Sequence, residues 1–585
     1  MKAPSILATF ACAALAAFTH PASAAPGDLD LSFNGTGKVT TNFVGNSRDH
    51  SSSIVVQSDG KIVVAGQSLN GSNQDFALAR YNTDGTLDTT FNGTGKVTTD
   101  FFGQEERCCG VALQNDGKIV VVGDANTGTT SDLIVFALAR YNTDGTLDTT
   151  FGGTGKVTTD IGADYDVAQS VAFQRDGKIV VAGFSYNVGR STAFTIVRYN
   201  ANGTLDTNFN GTGKAMIDIG EYADNGHAVA IQPDGKIVVA GSSNNASGST
   251  YHDFALVRCN ANGTLDTTFG GTGKVTTDIG SGDDFGKSVA IQRDGRIVVA
   301  GHSMHSGSVF AVLRYNSNGS LDTSFGGTGM VTTDISNNDY ATSLAIQPDG
   351  KMVVGGRSYK EHSGTYYFDI ALVRYNSNGS LDTSFGGTGM VTTDIGDSEG
   401  WDHSVAFQRD GKIVVAATSY NGTNHDFALV RYEGYPIDTD GDGIPDIYET
   451  GTGIYVSPTD TGTDAKNSDS DGDGLSDGAE VLIYNTNPNV GDTDSDGYLD
   501  GYEVLTGKLP LDPLDHPALV AEARTAIEFT FPSGLGKTYR IEDSTDLATW
   551  TTVETGIAGT GGPIQRFYST RNVAKRYFRV EEEAP

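Results

Sequence analysis

The sequence predicts an all-β chain: a seven-bladed β-propeller, then an acidic repeat stalk, then a small β-sandwich. Three observations carry this. One unit recurs seven times between residues 28 and 432, the composition changes abruptly after Tyr432, and the C-terminal stretch returns to short alternating strands. The expected parts are residues 1–24, 25–432, 433–517 and 518–585.

Three markers repeat in step, the signature of a repeat architecture. A Leu-Asp-x-x-Phe segment places Phe33, Phe91, Phe151, Phe209, Phe269, Phe325 and Phe385 at intervals of 56 to 60 residues. An Asp-Gly turn after a Gln recurs at Asp59, Asp116, Asp176, Asp234, Asp294, Asp349 and Asp410. Each unit closes on an Arg: Arg80, Arg140, Arg198, Arg258, Arg314, Arg374 and Arg431.

Within one unit, Lys156–Ile161 is short and β-branched, while Gln169–Gln174 and Phe194–Tyr199 alternate apolar and polar residues. Lys178–Gly183 is continuously apolar, as a strand buried on both faces must be. Asp-Gly and Asn-Gly pairs supply hairpin turns. Four antiparallel strands per unit, seven times, give a propeller. If the Lys-Val-Thr-Thr strand is the outer strand of the preceding blade, Lys38–Phe43 closes the blade built from residues 404–432. A frame of one repeat per blade also gives seven blades. The units resemble the Delta-sixty family of bacterial propeller repeats through LDTTFGGTGKVTTDIG, the Q-x-DGKIVVAG segment and DFALARYN. That resemblance implies a fold and no shared reaction.

Residues identical in every unit are expected to be structural. Each repeated Arg alternates with apolar residues near acidic turns such as Asp84 and Asp88, which predicts a buried Arg–Asp pair. Two of the four connections per unit hardly change and two vary, and alternate connections of an up-and-down blade share a face. The variable face therefore gathers Tyr186, Tyr251, His252, His302, His305, Tyr359, Tyr420, His425, Trp401 and His403. Aromatic rings with Asp and His suit a polar ligand such as a glycan or an envelope protein. Asp49, Glu106, Asp166, Asp224, Asp284 and Asp339 share one position, eight before the Gln. They read either as turn caps or as a carboxylate ring attracting cations.

Residues 433–517 hold 20 acidic and 2 basic residues, so they contribute −18 of the chain's formal −33. The spacing is ordered. Asp438, Asp440, Asp442, Ile444, Asp446 and Glu449 form one twelve-residue pattern; Asp469, Asp471, Asp473, Leu475, Asp477 and Glu480 repeat it; Asp492, Asp494, Asp496, Tyr498, Asp500 and Glu503 give a third copy. Carboxylates at positions 1, 3, 5, 9 and 12, a carbonyl at 7 and Gly at 6 are the oxygen set that Ca²⁺ takes. Three calcium sites are expected. The loops look like thrombospondin type 3 repeats and related bacterial calcium stalks. Long flanking helices are absent from the pattern, which implies a metal-stiffened spacer rather than a sensor.

The N-terminus carries Lys2, an apolar run from Ile6 to Phe18 and Ala22-Ser23-Ala24, the layout of a cleaved secretory signal. No later segment is long and apolar enough to span a membrane. Cys108, Cys109 and Cys259 remain in the mature chain; the adjacent pair reads as a vicinal disulfide or as two small residues entering a strand. Residues 518–585 place short strands at 526–531, 538–542, 550–553, 565–568 and 577–580 and resemble a fibronectin type III module. The acidic balance excludes a nucleic-acid partner. No G-x-S-x-G or H-E-x-x-H motif occurs. The expectation is an exported, monomeric, non-enzymatic surface or matrix protein. The alternative is a secreted polysaccharide lyase or glycosidase using Asp284 and His305 on the variable face.

Overall fold

The computed structural model describes residues 25–45, 47–128, 133–162, 165–186, 191–244, 251–304, 307–347, 349–362, 365–396, 403–408, 410–434, 440–445, 448–458, 460–517, 522–523, 528–545, 547–567 and 577–583. The expected signal segment, residues 1–24, lies outside them.

Residues 38–432 form seven four-stranded antiparallel sheets. Blade 1 runs Asp49–Val56, Ile62–Asn70, Asn73–Tyr81 and Lys96–Thr99, hydrogen-bonded in that order. First strands of successive blades neighbour one another right round the ring, blade 7 beside blade 1, so they surround the axis. The interlocked frame is the one observed. Lys38–Thr41 pairs with His425–Tyr432 and completes blade 7 with Ile413–Tyr420 and Ser404–Phe407. This strand stops at Thr41, short of the expected Phe43, and the next residue, Asn42, donates to Asp426 at 2.9 Å.

The second strand of each blade is buried on both faces, as its continuous apolar run requires; Ile179, Val180 and Val181 are completely buried. Each such side chain contributes roughly 1.5–3 kcal/mol of transfer free energy. These residues pack between neighbouring blades, so the hydrophobic core is a ring of seven inter-blade clusters.

The repeated Arg is the polar counterpart of that core. In all seven blades its guanidinium lies 2.6–2.8 Å from an Asp carboxylate of the adjoining turn, Arg80–Asp88 through Arg374–Asp382 and Arg431–Asp30. It stacks 4.5–4.8 Å above the centroid of the repeated Phe. Its remaining nitrogen donates to a backbone carbonyl of the next blade's turn, Arg80 to Thr143 and Arg431 to Thr83. Arg374 instead reaches the carbonyl of Gly434, where the chain leaves the ring. A buried Tyr hydroxyl pairs with a Thr of the preceding blade's outer strand at 2.7–2.9 Å in five blades, as in Tyr81–Thr41 and Tyr141–Thr99. Blade 4 replaces both partners at once: Cys259 stands for the Tyr and Ile217 for the Thr, and both are buried in one cluster. The polar pair was exchanged for an apolar one without leaving an orphan hydroxyl. Cys108, Cys109 and Cys259 are all free thiols.

The constant turns, such as Gln57–Lys61 and Asn82–Thr86, lie at the same end of the blades, and the chain leaves blade 7 at that end, after Tyr432. The variable connections occupy the opposite end. The C-terminal module has two three-stranded sheets, one with Glu528–Pro532 and Pro563–Phe567, the other with Thr538–Ser544 between Thr551–Ala558 and Tyr577–Glu582. Phe531, Tyr539, Ile541, Ile557 and Ile564 form its core. Among the described residues no helix is long and apolar enough to cross a membrane.

Two predictions follow from the Arg unit. Arg198→Met leaves Asp206 buried with Lys178 at 3.6 Å as its remaining cation. The expected cost is about 3–5 kcal/mol, read as a lower denaturant midpoint of the propeller. Burial alone would raise the Asp30 and Asp88 carboxyls. Hydrogen bonds from Ser32 and Thr90, with Lys412, Lys61 and the Arg charges, outweigh burial and hold both at about 2. A depressed folded-state pKa gives stability that is complete above pH of about 4 and lost as the pH falls through about 2. Acid titration of the propeller transition should show this loss, and Asp88→Asn should reduce it.

Candidate functional site

The acidic stalk contains three loops, each turned by a glycine at its sixth position in a left-handed conformation: Gly443 (φ 101°), Gly474 (φ 95°) and Gly497 (φ 98°). The next residue then sends its amide to the fifth-position carboxylate, Ile444 to Asp442, Leu475 to Asp473 and Tyr498 to Asp496, at 2.7–2.9 Å. That fold-back gathers carboxylate oxygens. Asp440, Asp442 and Glu449 in the first loop each place one within 4.8 Å of the others, as do Asp469, Asp471 and Asp473, and Asp492, Asp494 and Asp496. Asp438 and Asp446 lie outside the described residues.

The last carboxylate of loops two and three faces the same groups. Glu480 is completely buried; burial, then Asp471 and Asp473, push it up to about 9. Glu503, raised to about 8 by burial and by Asp496 and Asp494, has both oxygens buried without a hydrogen bond. Asp471 Oδ2, Glu480 Oε2, Asp494 Oδ2 and Asp496 Oδ2 are orphaned in the same way. Buried carboxylate oxygens with no donor cost several kcal/mol unless a cation neutralises them. This donor set fits a hard divalent cation. Ile444 and Tyr498 bury their side chains and Leu475 is half-buried.

The ninth-position residues do something else. Asp477 takes both the amide and the hydroxyl of Ser470, and Asp500 those of Thr493, at 2.7–3.0 Å. They brace the loop, and neither joins the three-carboxylate group. Asp477–Ala479 and Asp500–Leu505 are short helical turns, and Glu480–Tyr484 a π turn.

A second arrangement is invisible to sequence spacing. Gly478 donates to Asp442 at 2.7 Å, and Gly501 to Asp473 at 2.8 Å, so each loop's fifth carboxylate grips the loop that follows. A Cβ on Gly478 would stand 1.9 Å from the Asp442 carbonyl oxygen. The third loop grips the C-terminal module instead. The Gly497 carbonyl accepts from Leu535 and Lys537 lies 5.3 Å over the Tyr498 ring, whose other neighbour, His516 of the stalk itself, stacks on it at 5.5 Å.

On the propeller, the shared acidic position resolves as turn caps. Asp166 and Asp224 accept the two amides that begin the crossover, Ile161–Gly162 and Ile219–Gly220; Glu106 accepts those of Phe101 and Phe102, and Asp339 those of Ile335 and Ser336. Asp49 and Asp284 each cap one amide.

The variable end carries a run of rings across blades 4 to 6. His252, Phe285, His302 and Tyr340 follow one another at centroid distances of 5.1–5.3 Å. Arg357 lies between Tyr340 and Phe368, 4.8 and 4.3 Å from their centroids. His50 stacks on His425 at 5.2 Å where blades 1 and 7 meet. Burial, with the Arg357 charge, holds His403 neutral at about 3, and its ring nitrogens make no hydrogen bond among the described residues. His305 and Trp401 lie outside the described residues.

Apart from His403, sequence reasoning missed the extra residues carried by the inner strands that surround the axis. Six inner strands carry a bulge whose extra residue is Ser52, Cys109, Gln169, His227, Lys287 or Thr342, and His403 holds the seventh place. Neighbours meet: Lys287 Nζ is 3.3 Å from His227 Nε2, and Thr342 donates to the His403 carbonyl at 2.7 Å. Bulges re-aim side chains, often at functional sites. The signal in the sequence is a column that differs from blade to blade inside an otherwise repeated strand.

Calcium titration of the full chain should show binding to the stalk, and Asp473→Ala should weaken the second site while leaving the propeller's thermal transition nearly unchanged. Equal binding by this variant would mark the aspartates as a solvated linker.

Seven segments of the chain, residues 57–91, 114–151, 174–209, 232–269, 292–325, 347–385 and 408–434, match the family model of a domain of unknown function (DUF5122) beta-propeller. Residues 469–491 match the bacterial TSP3 repeat. No curated protein matches. Among solved structures, a protein of unknown function from Dyadobacter fermentans DSM 18053 is 10% identical over 68% of this chain and 98% of its own, with a TM-score of 0.39. A PL25 ulvan lyase, a polysaccharide lyase, is 12% identical over 68% and 96%, TM-score 0.37. The Hadza microbial sialidase Hz136 is 12% identical over 66% and 65%, TM-score 0.35. At such scores these likenesses carry no functional argument. By its family matches, the chain carries a DUF5122 beta-propeller of seven repeats and a bacterial TSP3 repeat.

Proposed function

We propose that this is an exported, non-enzymatic surface or matrix protein whose propeller binds a polar ligand, a glycan or an envelope protein, at its variable end. Residues 25–432 form the binding part, 433–517 a calcium-stiffened spacer and 518–585 the terminal module. The observation that supports it most is the run His252–Phe285–His302–Tyr340–Arg357–Phe368. His252, Phe285, Tyr340 and Phe368 are half-buried and offer flat apolar faces of the kind that hold sugars, while His302 and the Arg357 guanidinium are buried among them and fix their orientation. In the spacer, Asp438, Asp440, Asp442, Asp446 and Glu449 of the first loop, Asp469, Asp471, Asp473 and Glu480 of the second, and Asp492, Asp494, Asp496 and Glu503 of the third would surround Ca²⁺, with the carbonyls of Ile444, Leu475 and Tyr498, while Asp477 and Asp500 brace their loops. The bound ion supplies positive charge to each loop; the Gly478 and Gly501 contacts pass the resulting order from loop to loop.

A second reading is a secreted polysaccharide lyase or glycosidase. The imidazole of His403, whose ring nitrogens make no hydrogen bond among the described residues, is the group that could carry it, although burial and the Arg357 charge hold its basicity far below that of an effective general base at neutral pH. Asp284 is engaged as a turn cap, which weakens its assignment as an acid or base.

An array of immobilised glycans and envelope proteins tests the first reading. The intact protein should be captured, and Phe285→Ala or Tyr340→Ala should lower affinity about tenfold, the loss of about 1.4 kcal/mol expected of a ring at the centre of a site. Turnover on a polysaccharide panel that His403→Ala abolishes would move the conclusion to the second reading.

A further inference from the structure

Among the described residues, two blade junctions of the propeller gather carboxylates in a way the others do not. At the first, Asp75, Asp100 and Glu106 each place an oxygen within 4.8 Å of the other two. They come from three elements: the third strand of blade 1, the end of its outer strand, and the first residue of blade 2. Asp253, Asp278 and Asp284 occupy the same positions at the junction of blades 4 and 5 and meet the same limit. Oxygens about 2.4 Å from one shared calcium ion can stand no farther apart than about 4.8 Å.

A second observation concerns one buried side chain. Glu106 is completely buried; its Oε1 caps the amides of Phe101 and Phe102, and its Oε2 is buried with no hydrogen bond. In blades 1, 3, 4, 5 and 6 the residue at this position is Asp, and the residue opposite it across the sheet is a serine, as in Asp49–Ser68, Asp166–Ser185 and Asp224–Ser243. Opposite Glu106 stands Ala125. Blade 2 has therefore lost the hydroxyl and gained a longer carboxylate in the same place. Such a change strands an oxygen unless something else neutralises it. Asp284 Oδ1, at the second junction, is also buried without a hydrogen bond.

The remaining blades serve as internal controls. Blades 2, 3 and 5 carry Val135, Ala193 and Val309 in place of the third-strand Asp. Blade 7 keeps Asp426 but offers Asn42, whose amide donates to it at 2.9 Å. Blade 6 keeps Asp369 with Lys360 3.3 Å away. At the first junction, Asn70 and Asn73 donate to Asp75, Gly103 donates to Asp100, and Lys156 reaches the Asp100 backbone carbonyl at 2.8 Å. That lysine contact is common to the repeat, as Lys214 on the Asp160 carbonyl shows, so it does not compensate this cluster in particular.

We propose that Asp75, Asp100 and Glu106 hold a divalent cation, with Asp253, Asp278 and Asp284 holding a second at the equivalent junction. An all-oxygen, all-carboxylate set selects a hard ion, and Ca²⁺ fits it. The ion ties the first residue of one blade's inner strand to the third strand of the blade before it, at the variable end of the propeller. These sites are separate from the stalk loops and stiffen the rim on which the variable connections stand.

The test uses the full-length protein, stripped with chelator and equilibrated with radioactive calcium at fixed free concentration. Asp100→Asn and Glu106→Gln should each bind one ion fewer per chain than the wild type, and Asp278→Asn should lose one at the other junction. Gln at 106 keeps an acceptor for the Phe101 and Phe102 amides. Asp84→Asn, on a constant turn, should leave the count unchanged. Calcium should raise the propeller's unfolding temperature in the wild type and raise it less in these three junction variants. Unchanged counts in both Asp100→Asn and Glu106→Gln would overturn the proposal, as would a wild-type propeller transition that ignores calcium. Asp100 is solvent-exposed, so its variant decides the matter even if Glu106→Gln fails to fold.

Discussion

A single four-stranded sheet has two apolar faces and two raw edges, and nothing within it selects seven partners. The repeated arginine supplies what is missing. Its planar, always-charged fork meets a carboxylate of its own blade, the face of a phenylalanine, and the backbone of the following blade at once. A lysine could satisfy only one of these. Each blade is thereby oriented against its neighbour by directional contacts, while the apolar clusters between blades contribute most of the free energy. Hydrophobic packing alone would tolerate sliding; a desolvated guanidinium with three fixed partners does not.

This division leaves the two ends of the ring with different freedoms. At the constant end each blade commits its Arg, the Asp of the adjoining turn and the Phe beneath the guanidinium to holding blades together, so substitution of these three is costly in each repeat. At the other end the crossovers that lead into six of the blades are capped by one carboxylate each, and the rest of their length varies from blade to blade. The candidate binding run draws on blades 4, 5 and 6, which is why no local stretch of sequence announces it.

The propeller was legible because its main polar unit, the Arg with its Asp and Phe, is written seven times and the other contacts nearly as often. Strand order, the Arg–Asp pair and the closing strand all follow from repetition and turn chemistry. The bulge residues were not legible, since they are defined by a one-residue slip between paired strands rather than by composition. In the stalk, spacing revealed Asp469, Asp471 and Asp473, but not that Asp477 braces Ser470 or that Gly501 answers to Asp473. Those contacts run across a loop or between repeats, and periodicity is blind to them. Cys259 departs from the repeated Tyr in a way that sequence alone does not explain; beside Ile217 in the same buried cluster it leaves no lone hydroxyl in the core.

The closing strand of blade 7 has a mechanical consequence. The tether leaves from Glu433, one residue beyond a strand that lies between Ile413–Tyr420 on one side and Lys38–Thr41 on the other. Leu29 bridges Tyr432, and the Gly27 amide donates to the Glu433 carbonyl, so both chain ends of the ring are knitted together where the tether begins. Tension along the tether runs along that central strand, so the hydrogen bonds on both its sides would be loaded together in shear rather than peeled one at a time. The ring is thus closed by its own first strand at the point where a load would reach it.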